Sequence, residues 1–212
     1  MDQRTIMEEL KVRISGADAV LVGLGLEWNG EDHREAVREA YEKLACLLEG
    51  NDYFVLTVCT DGEIFSSSLD SEKITAPCGN QHWYQCPDAC TKDIWEEGEA
   101  PGGVCPHCGK VLIPNTVEAE HYIEEGYLPS WGRYTTWLSR TLNRNLEVLE
   151  LGAGFHGLEL KLVRWPLEKT VFFNKKAHMY RINGAFSQIS AELEGKAEPV
   201  AQNSVEFVRK LC

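Results

Sequence analysis

Two short cysteine pairs constrain this chain more than any other feature of its sequence. Cys86-Pro-Asp-Ala-Cys90 is followed after fourteen residues by Cys105-Pro-His-Cys108 and then Gly109. Four thiolates close a tetrahedral shell around one zinc ion, each pair wraps half of it, and a glycine after the last ligand accommodates the tight turn. With Cys86, Cys90, Cys105 and Cys108 all bound, no coordination position is left for water, so the expected role of the metal is structural. A disulfide framework is the competing use of eight cysteines. The close spacing and an N-terminus, MDQRTIMEELKVRI, without a signal-like apolar stretch favour metal. His82 and His107 are candidate substitute ligands only if a cysteine is not used. Cys46, Cys59, Cys78 and Cys212 are scattered and read as small hydrophobes.

The region around these pairs, residues 78–115, is rich in Gly, Pro, Cys and Trp and reads as an insert; residues 1–77 and 116–212 carry a different pattern. Thr5 to Ile14 reads as a short amphipathic helix. Asp18 to Gly23 is a compact apolar run ending at glycines, as a buried parallel strand does. From Asp32 to Leu48, Ala36, Val37, Ala40, Leu44 and Leu47 recur at helical spacing. Asp52 to Val58 is a second β-rich run, which completes a strand-helix-strand unit and predicts a parallel sheet. Beyond the insert, Arg133 to Asn143 reads as a helix, Leu146 to Gly152 as a strand, Thr170 to Phe173 as one more short strand, and Ser204 to Leu211 as a closing helix. The fold class is therefore α/β: a Rossmann-like parallel sheet with an inserted small zinc module, all within one domain of 212 residues.

A formal net charge of -12 argues against a nucleic-acid partner, because phosphate backbones are bound by clustered Lys and Arg. No apolar run approaches the roughly 18 residues a membrane helix needs. A cytoplasmic protein is the expectation. Two glycine turns follow strands, Gly23-Leu-Gly25 and Gly152-Ala-Gly154, and glycines at such places let backbone amides approach a pyrophosphate. Trp83, Tyr84, Trp95, Trp131 and Trp137 read as packing for the insert. Glu118, Glu120, Glu124 and Glu125 read as a solvated face, and His121, His156 and His178 as lone histidines, with His156 notable for following the second glycine turn.

The order of these parts resembles the sirtuin (Sir2) family of NAD-dependent protein deacylases and ADP-ribosyltransferases over nearly the whole chain. Val20 to Gly25 is similar to its first strand and glycine turn. Thr57-Val-Cys-Thr-Asp61 stands where the family has Thr-Gln-Asn-Ile-Asp, and the four cysteines match its zinc module. Lys110 to Asn115 is similar to its Leu-Arg-Pro stretch, Gly152-Ala-Gly154 to its Gly-Thr-Ser turn, and Phe173-Asn174 to the Ile-Asn pair at the adenosine ribose. The resemblance implies NAD bound across Gly23, Gly25, Gly152 and Gly154, with Asp61 orienting the ribose or nicotinamide side and Asn174 holding the adenosine ribose.

There are departures. The family's Gly-Ala-Gly-Ile-Ser loop and its downstream Pro-Asp-Phe-Arg are here Gly23 to Gly30 without a matching Arg or Phe, Cys59 replaces an Asn, and Cys78 stands where the family has its catalytic His. The base would then be Cys78, as a thiolate of lowered pKa, or His82. A macrodomain-linked subgroup that also lacks the histidine is associated with protein ADP-ribosylation, and its segment before the zinc resembles Gln81 to Cys86. Two functions follow from the resemblance: an NAD-consuming, nicotinamide-releasing deacylase or ADP-ribosyltransferase acting on acyl-lysine or another protein substrate, or a catalytically inactive NAD or ADP-ribose sensor or interaction module.

Overall fold

A computed structural model describes residues 3–211; Cys212 lies outside them. Its centre is a parallel sheet of β1 (Ala19–Leu24), β2 (Tyr53–Thr57), β3 (Ile74–Thr75), β7 (Leu146–Leu151), β8 (His178–Ile182) and β9 (Ala197–Val200). The spatial order is β3-β2-β1-β7-β8-β9, all neighbours parallel. Every residue of β1, β2 and β7 is buried, which explains why they read as near-continuous apolar runs.

Helices cover both faces. α1 (Gln3–Ser15), α2 (Arg34–Leu48) and α5 (Ser204–Arg209) pack on one side, with Leu10, Ile14, Val37, Leu44, Phe207 and Val208 in its core. The buried stripe Val37, Ala40, Tyr41, Leu44 and Leu48 seats α2, and the fully buried Trp28 stacks tilted on Tyr41 with ring centroids 4.9 Å apart. α3 (Leu128–Ser139) and α4 (Trp165–Phe173) cover the other face through Tyr134, Leu167 and Val171. Between β2 and β7 the chain leaves the sheet to build a three-stranded antiparallel module of β4 (Gly79–Gln85), β5 (Trp95–Glu96) and β6 (Ile113–Thr116), in the order β5-β4-β6.

Two expected elements differ. Thr170 to Phe173 is the last turn of α4 and not a strand. Its β-prone residues are overruled because Leu167 and Val171, four apart, both face the core, and Thr170 Oγ1 donates to the Pro166 carbonyl at 2.8 Å. The strand of that region is β8, whose sequence His-Met-Tyr-Arg-Ile conceals it because Arg181 is fully buried, held bidentately by Glu150 of β7 at 2.6 and 2.7 Å. α3 starts at Leu128, five residues before the expected Arg133, with Pro129 in its first turn, where a missing N–H costs nothing.

Candidate functional site

The strand order reverses between β1 and β7: the chain winds outward from β1 to β2 and β3, then returns to β7 on the other side of β1. Ligands of open α/β sheets bind at such a switch point, outside the carboxyl ends of the strands. Both glycine turns lie there. A Cβ on Gly25 would collide with Ala153 Cα and the Gly152 carbonyl, so the turns touch backbone to backbone, and Gly25 N donates to Leu151 O at 2.8 Å. Gly152 has φ +70°, in the left-handed region. Gly23 serves packing: its missing Cβ leaves room for Leu167 and Val163. Gly154 N faces the buried carboxylate of Glu159.

That carboxylate sits at the meeting of the turns. Glu159 Oε1 accepts from Leu26 N at 2.9 Å and Gly154 N at 3.0 Å, and the residue is 4% exposed. A second carboxylate, Glu27, accepts from Gly184 N at 3.0 Å and from Ser204 N and Oγ, both at 2.7 Å. Below them Arg164 donates to the carbonyls of Ala153 and Phe186 at 2.9 Å each and lies over the Phe155 ring, 4.1 Å from its centroid. Burial pulls the Arg164 guanidinium down, against Glu150.

From Gly25 the rim continues to the loop after β2. Cys59 donates its S–H to Gly25 O at 3.3 Å, and burial pushes its thiol far up. Asp61 is buried and accepts from Gly30 N at 2.5 Å and Glu63 N at 3.1 Å, fixing the two loops together. His82, on β4, packs its ring over Gly62, half-exposed, with Nδ1 3.7 Å from Glu97 Oε2. It lines a cleft of about 550 Å³ between the sheet edge and the module, with Phe65, Asn80, Trp83, Glu97 and Arg133. Asp61 and His82 thus flank Gly62.

Cys78 does not join them as a base. It is 1% exposed, packed in the apolar cluster with Val58 and Tyr134, and burial pushes its thiol up to about 12, opposite to the lowered pKa a thiolate base needs. Asn174 is also elsewhere. Its Nδ2 donates to Thr141 O at 2.9 Å and Arg144 O at 3.4 Å, beside the start of β7, about 20 Å from the glycine turns at roughly 3.3 Å per strand residue. The Ile-Asn pair that ends a strand is Ile182-Asn183. Asn183 Nδ2 donates to Ala153 O at 3.0 Å, and its Oδ1 accepts from Ala185 N and Phe186 N at 2.8 and 2.7 Å. Reading β8 as a strand would have found it. Glu159, Glu27 and Arg164 carried no sequence signal. Of the lone histidines, His178 is bound by Glu147 at 2.8 Å, while His121 and His156 are exposed; Cys46 is exposed rather than buried.

In the module the four sulfurs of Cys86, Cys90, Cys105 and Cys108 lie within 4.8 Å of one another and could hold a metal ion. Contacts of 3.3, 3.6 and 3.6 Å between them compare with about 3.8 Å for sulfurs around a tetrahedral ion at about 2.3 Å. Gly109 takes φ +73° behind Cys108, and Ala89 takes φ +48° in the first knuckle. His107 is turned away to Asp93 at 3.2 Å. The base of the module is locked by buried amides: Asn115 Nδ2 donates to Gln85 Oε1 at 2.6 Å and Ile123 O at 2.8 Å, and Gln85 Nε2 to His121 O at 2.7 Å.

A doubly wound sheet with glycine turns at its switch point and a four-cysteine module inserted after β3 defines a class of open α/β folds with a cysteine-bearing insert. The chain has the Sir2-like fold. A Sir2 homologue–NAD complex superimposes with a TM-score of 0.58 at 16% identity, covering 96% of this chain and 91% of the other. A mutant Sir2 homologue in complex with 2′-O-acetyl ADP-ribose gives 0.61 at 15% identity, covering 100% and 95%. By sequence, a probable bifunctional ADP-ribose hydrolase/ADP-ribosyltransferase of Fusarium oxysporum f. sp. cubense is 24% identical over 146 residues, 58% of this chain. The chain spans about a quarter of that relative's length. No family model matches the sequence. Among the described residues no helix is long and apolar enough to cross a membrane.

Proposed function

We propose that this chain binds NAD or ADP-ribose across the turns at Gly25 and Gly152 and carries one structural zinc ion on Cys86, Cys90, Cys105 and Cys108. The observation that carries this reading is the backbone contact of the two glycine turns at the switch point of the sheet. Asn183, fastened to the Ala153 carbonyl, shapes the adenosine side, and Asp61, fastened to Gly30 and Glu63, shapes the opposite rim. Zinc supplies no reactive position, since four thiolates leave none open. The arrangement supports binding better than turnover, because the residue in the place of the family's base is a buried thiol.

Transfer is the second reading: cleavage of NAD with release of nicotinamide and passage of ADP-ribose to an acyl-lysine or another protein nucleophile. The exposed imidazole of His82 over Gly62, on a cleft large enough for a side chain, favours it. The name of the fungal relative points the same way. Zinc-loaded protein is incubated with ADP-ribose and with NAD, and thermal stability and nicotinamide release are followed, alongside His82→Ala and Cys78→Ala. Stabilisation by ADP-ribose is expected, about 2.7 kcal/mol at a hundredfold excess over Kd. Release that His82→Ala abolishes and Cys78→Ala spares would establish the second reading; no stabilisation by either ligand, up to saturating concentration, overturns the first.

A further inference from the structure

The amides that point into the switch point already have an anion. Leu26 N belongs to the turn after β1 and Gly154 N to the turn after β7, yet both converge on one oxygen of Glu159. Two amides from neighbouring glycine turns aimed at a single oxygen are the donor set a nucleotide phosphate requires. The hydrogen bonds to Glu159 Oε1 come from those two backbone amides, and the Arg164 guanidinium is the cation that feels its charge. A Cβ on Gly154 would come within 3.0 Å of its other oxygen, so the glycine makes room for the carboxylate itself.

Resting on the reading of this crevice as an ADP-ribose site, we propose that Glu159 is a specificity-determining internal anion that competes with the ligand's diphosphate for the amides of Leu26 and Gly154. A phosphate cannot share these donors with a carboxylate at contact distance, because like charges a few ångströms apart repel in a site partly shielded from water. Diphosphate ligands therefore bind only as Glu159 swings out, whereas a neutral nucleoside binds without moving it. The means to swing is local. Glu159 opens a π-helix, Glu159–Arg164, a rare geometry frequent at functional sites, and it follows Gly157 at φ +38° in an exposed turn. Glu27, which holds Gly184 and Ser204, keeps the far side of the crevice fixed meanwhile.

The test measures the affinity of zinc-loaded native protein and Glu159→Gln for ADP-ribose and for adenosine by calorimetry. The isosteric amide removes the charge, so ADP-ribose is expected to bind the variant about tenfold more tightly or better, on the scale of one relieved like-charge contact near a protein surface. Adenosine is expected to change less than about twofold. Equal ADP-ribose affinity in the two proteins overturns the proposal and leaves the crevice reading standing. Equal tightening of adenosine also overturns it, since Glu159 would then be a steric plug. Absence of ADP-ribose binding to both proteins overturns the proposal together with the function above. A native-protein measurement guards against a misfolded variant: titration with ADP-ribose must shift the backbone amide resonances of Leu26 and Gly154, and bound ligand with those amides unmoved sinks the proposal.

Discussion

At the scale of single residues, burial decides which side chains can react. Cys78 is sealed against Val58 and Tyr134, and burial pushes its thiol up to about 12, so little of it is thiolate near neutral pH. It is expected to resist iodoacetamide in the folded protein while exposed Cys46 is alkylated, with mass spectrometry of the peptides as the readout. Glu63 shows the opposite balance. Burial raises its carboxyl, but hydrogen bonds from Arg38 and Arg34, at 2.5 Å each, outweigh burial and hold it below the ordinary range. A depressed carboxyl contributes stability above its unfolded pKa of about 4.3 and loses it as pH falls through the folded value. Glu63→Gln is therefore expected to cost ~1 kcal/mol at pH 7, limited by the half-exposed arginines, and progressively less as pH falls below the ordinary carboxyl range, measured as the difference between urea melts.

At the scale of elements, the glycine turns are held from beneath by charge as well as by apolar packing. β7 carries two buried carboxylates, and each meets a hydrogen-bonding side chain directly opposite on β8: Glu147 pairs in register with His178 and Glu150 with Arg181. Arg181 also reaches Glu168 of α4 at 2.7 Å and the Gln188 carbonyl, and so ties the helix to the strand. Replacing both members of such a pair by apolar residues is often tolerated, but removing one leaves a buried charge alone. Arg181→Met is expected to cost about 3–5 kcal/mol, and a Glu150→Leu/Arg181→Met double variant much less, as a thermal double-mutant cycle would read. The same pairing explains the location of Ile182-Asn183 at the rim: Arg181 fixes β8 one residue before the turn.

At the scale of the whole molecule, two bodies of unequal self-sufficiency meet. The sheet has a large core on each face, whereas among the described residues the module's own buried cluster is Cys86, Cys105 and Leu112 with partly buried Tyr84, Trp95 and Ala100 around them. So small a cluster cannot offset the backbone entropy of ordering thirty or so residues, roughly 1–2 kcal/mol each, and under the proposed zinc site a bound metal would supply the difference. Chelation is expected to abolish hydrogen-exchange protection in β4, β5 and β6 while β1, β2 and β7 keep theirs. Cys105→Ser should do the same without chelator, and a module equally protected with and without metal would contradict the structural role. Because His82 and Asn80 ride on β4, the loss should also open the cleft that they share with Phe65 and Arg133.

The sequence by itself determined the parts whose signals are local: the spacing of the four cysteines, the apolar runs of β1, β2 and β7, the periodic face of α2, and the two glycine turns. Each needs only near neighbours along the chain to be recognised. What only the tertiary structure decided are the features that depend on partners far away in sequence. β8 is a strand because Glu150 neutralises Arg181 across thirty-one residues, and without that partner its charged residues hide it. Thr170 to Phe173 is helical because Leu167 and Val171 find the same core. Cys78 is inert because apolar side chains from β2 and α3 close over it. Glu159 meets amides of Leu26, 133 residues before it, and no local pattern announces a carboxylate that must cross the molecule to find its donors.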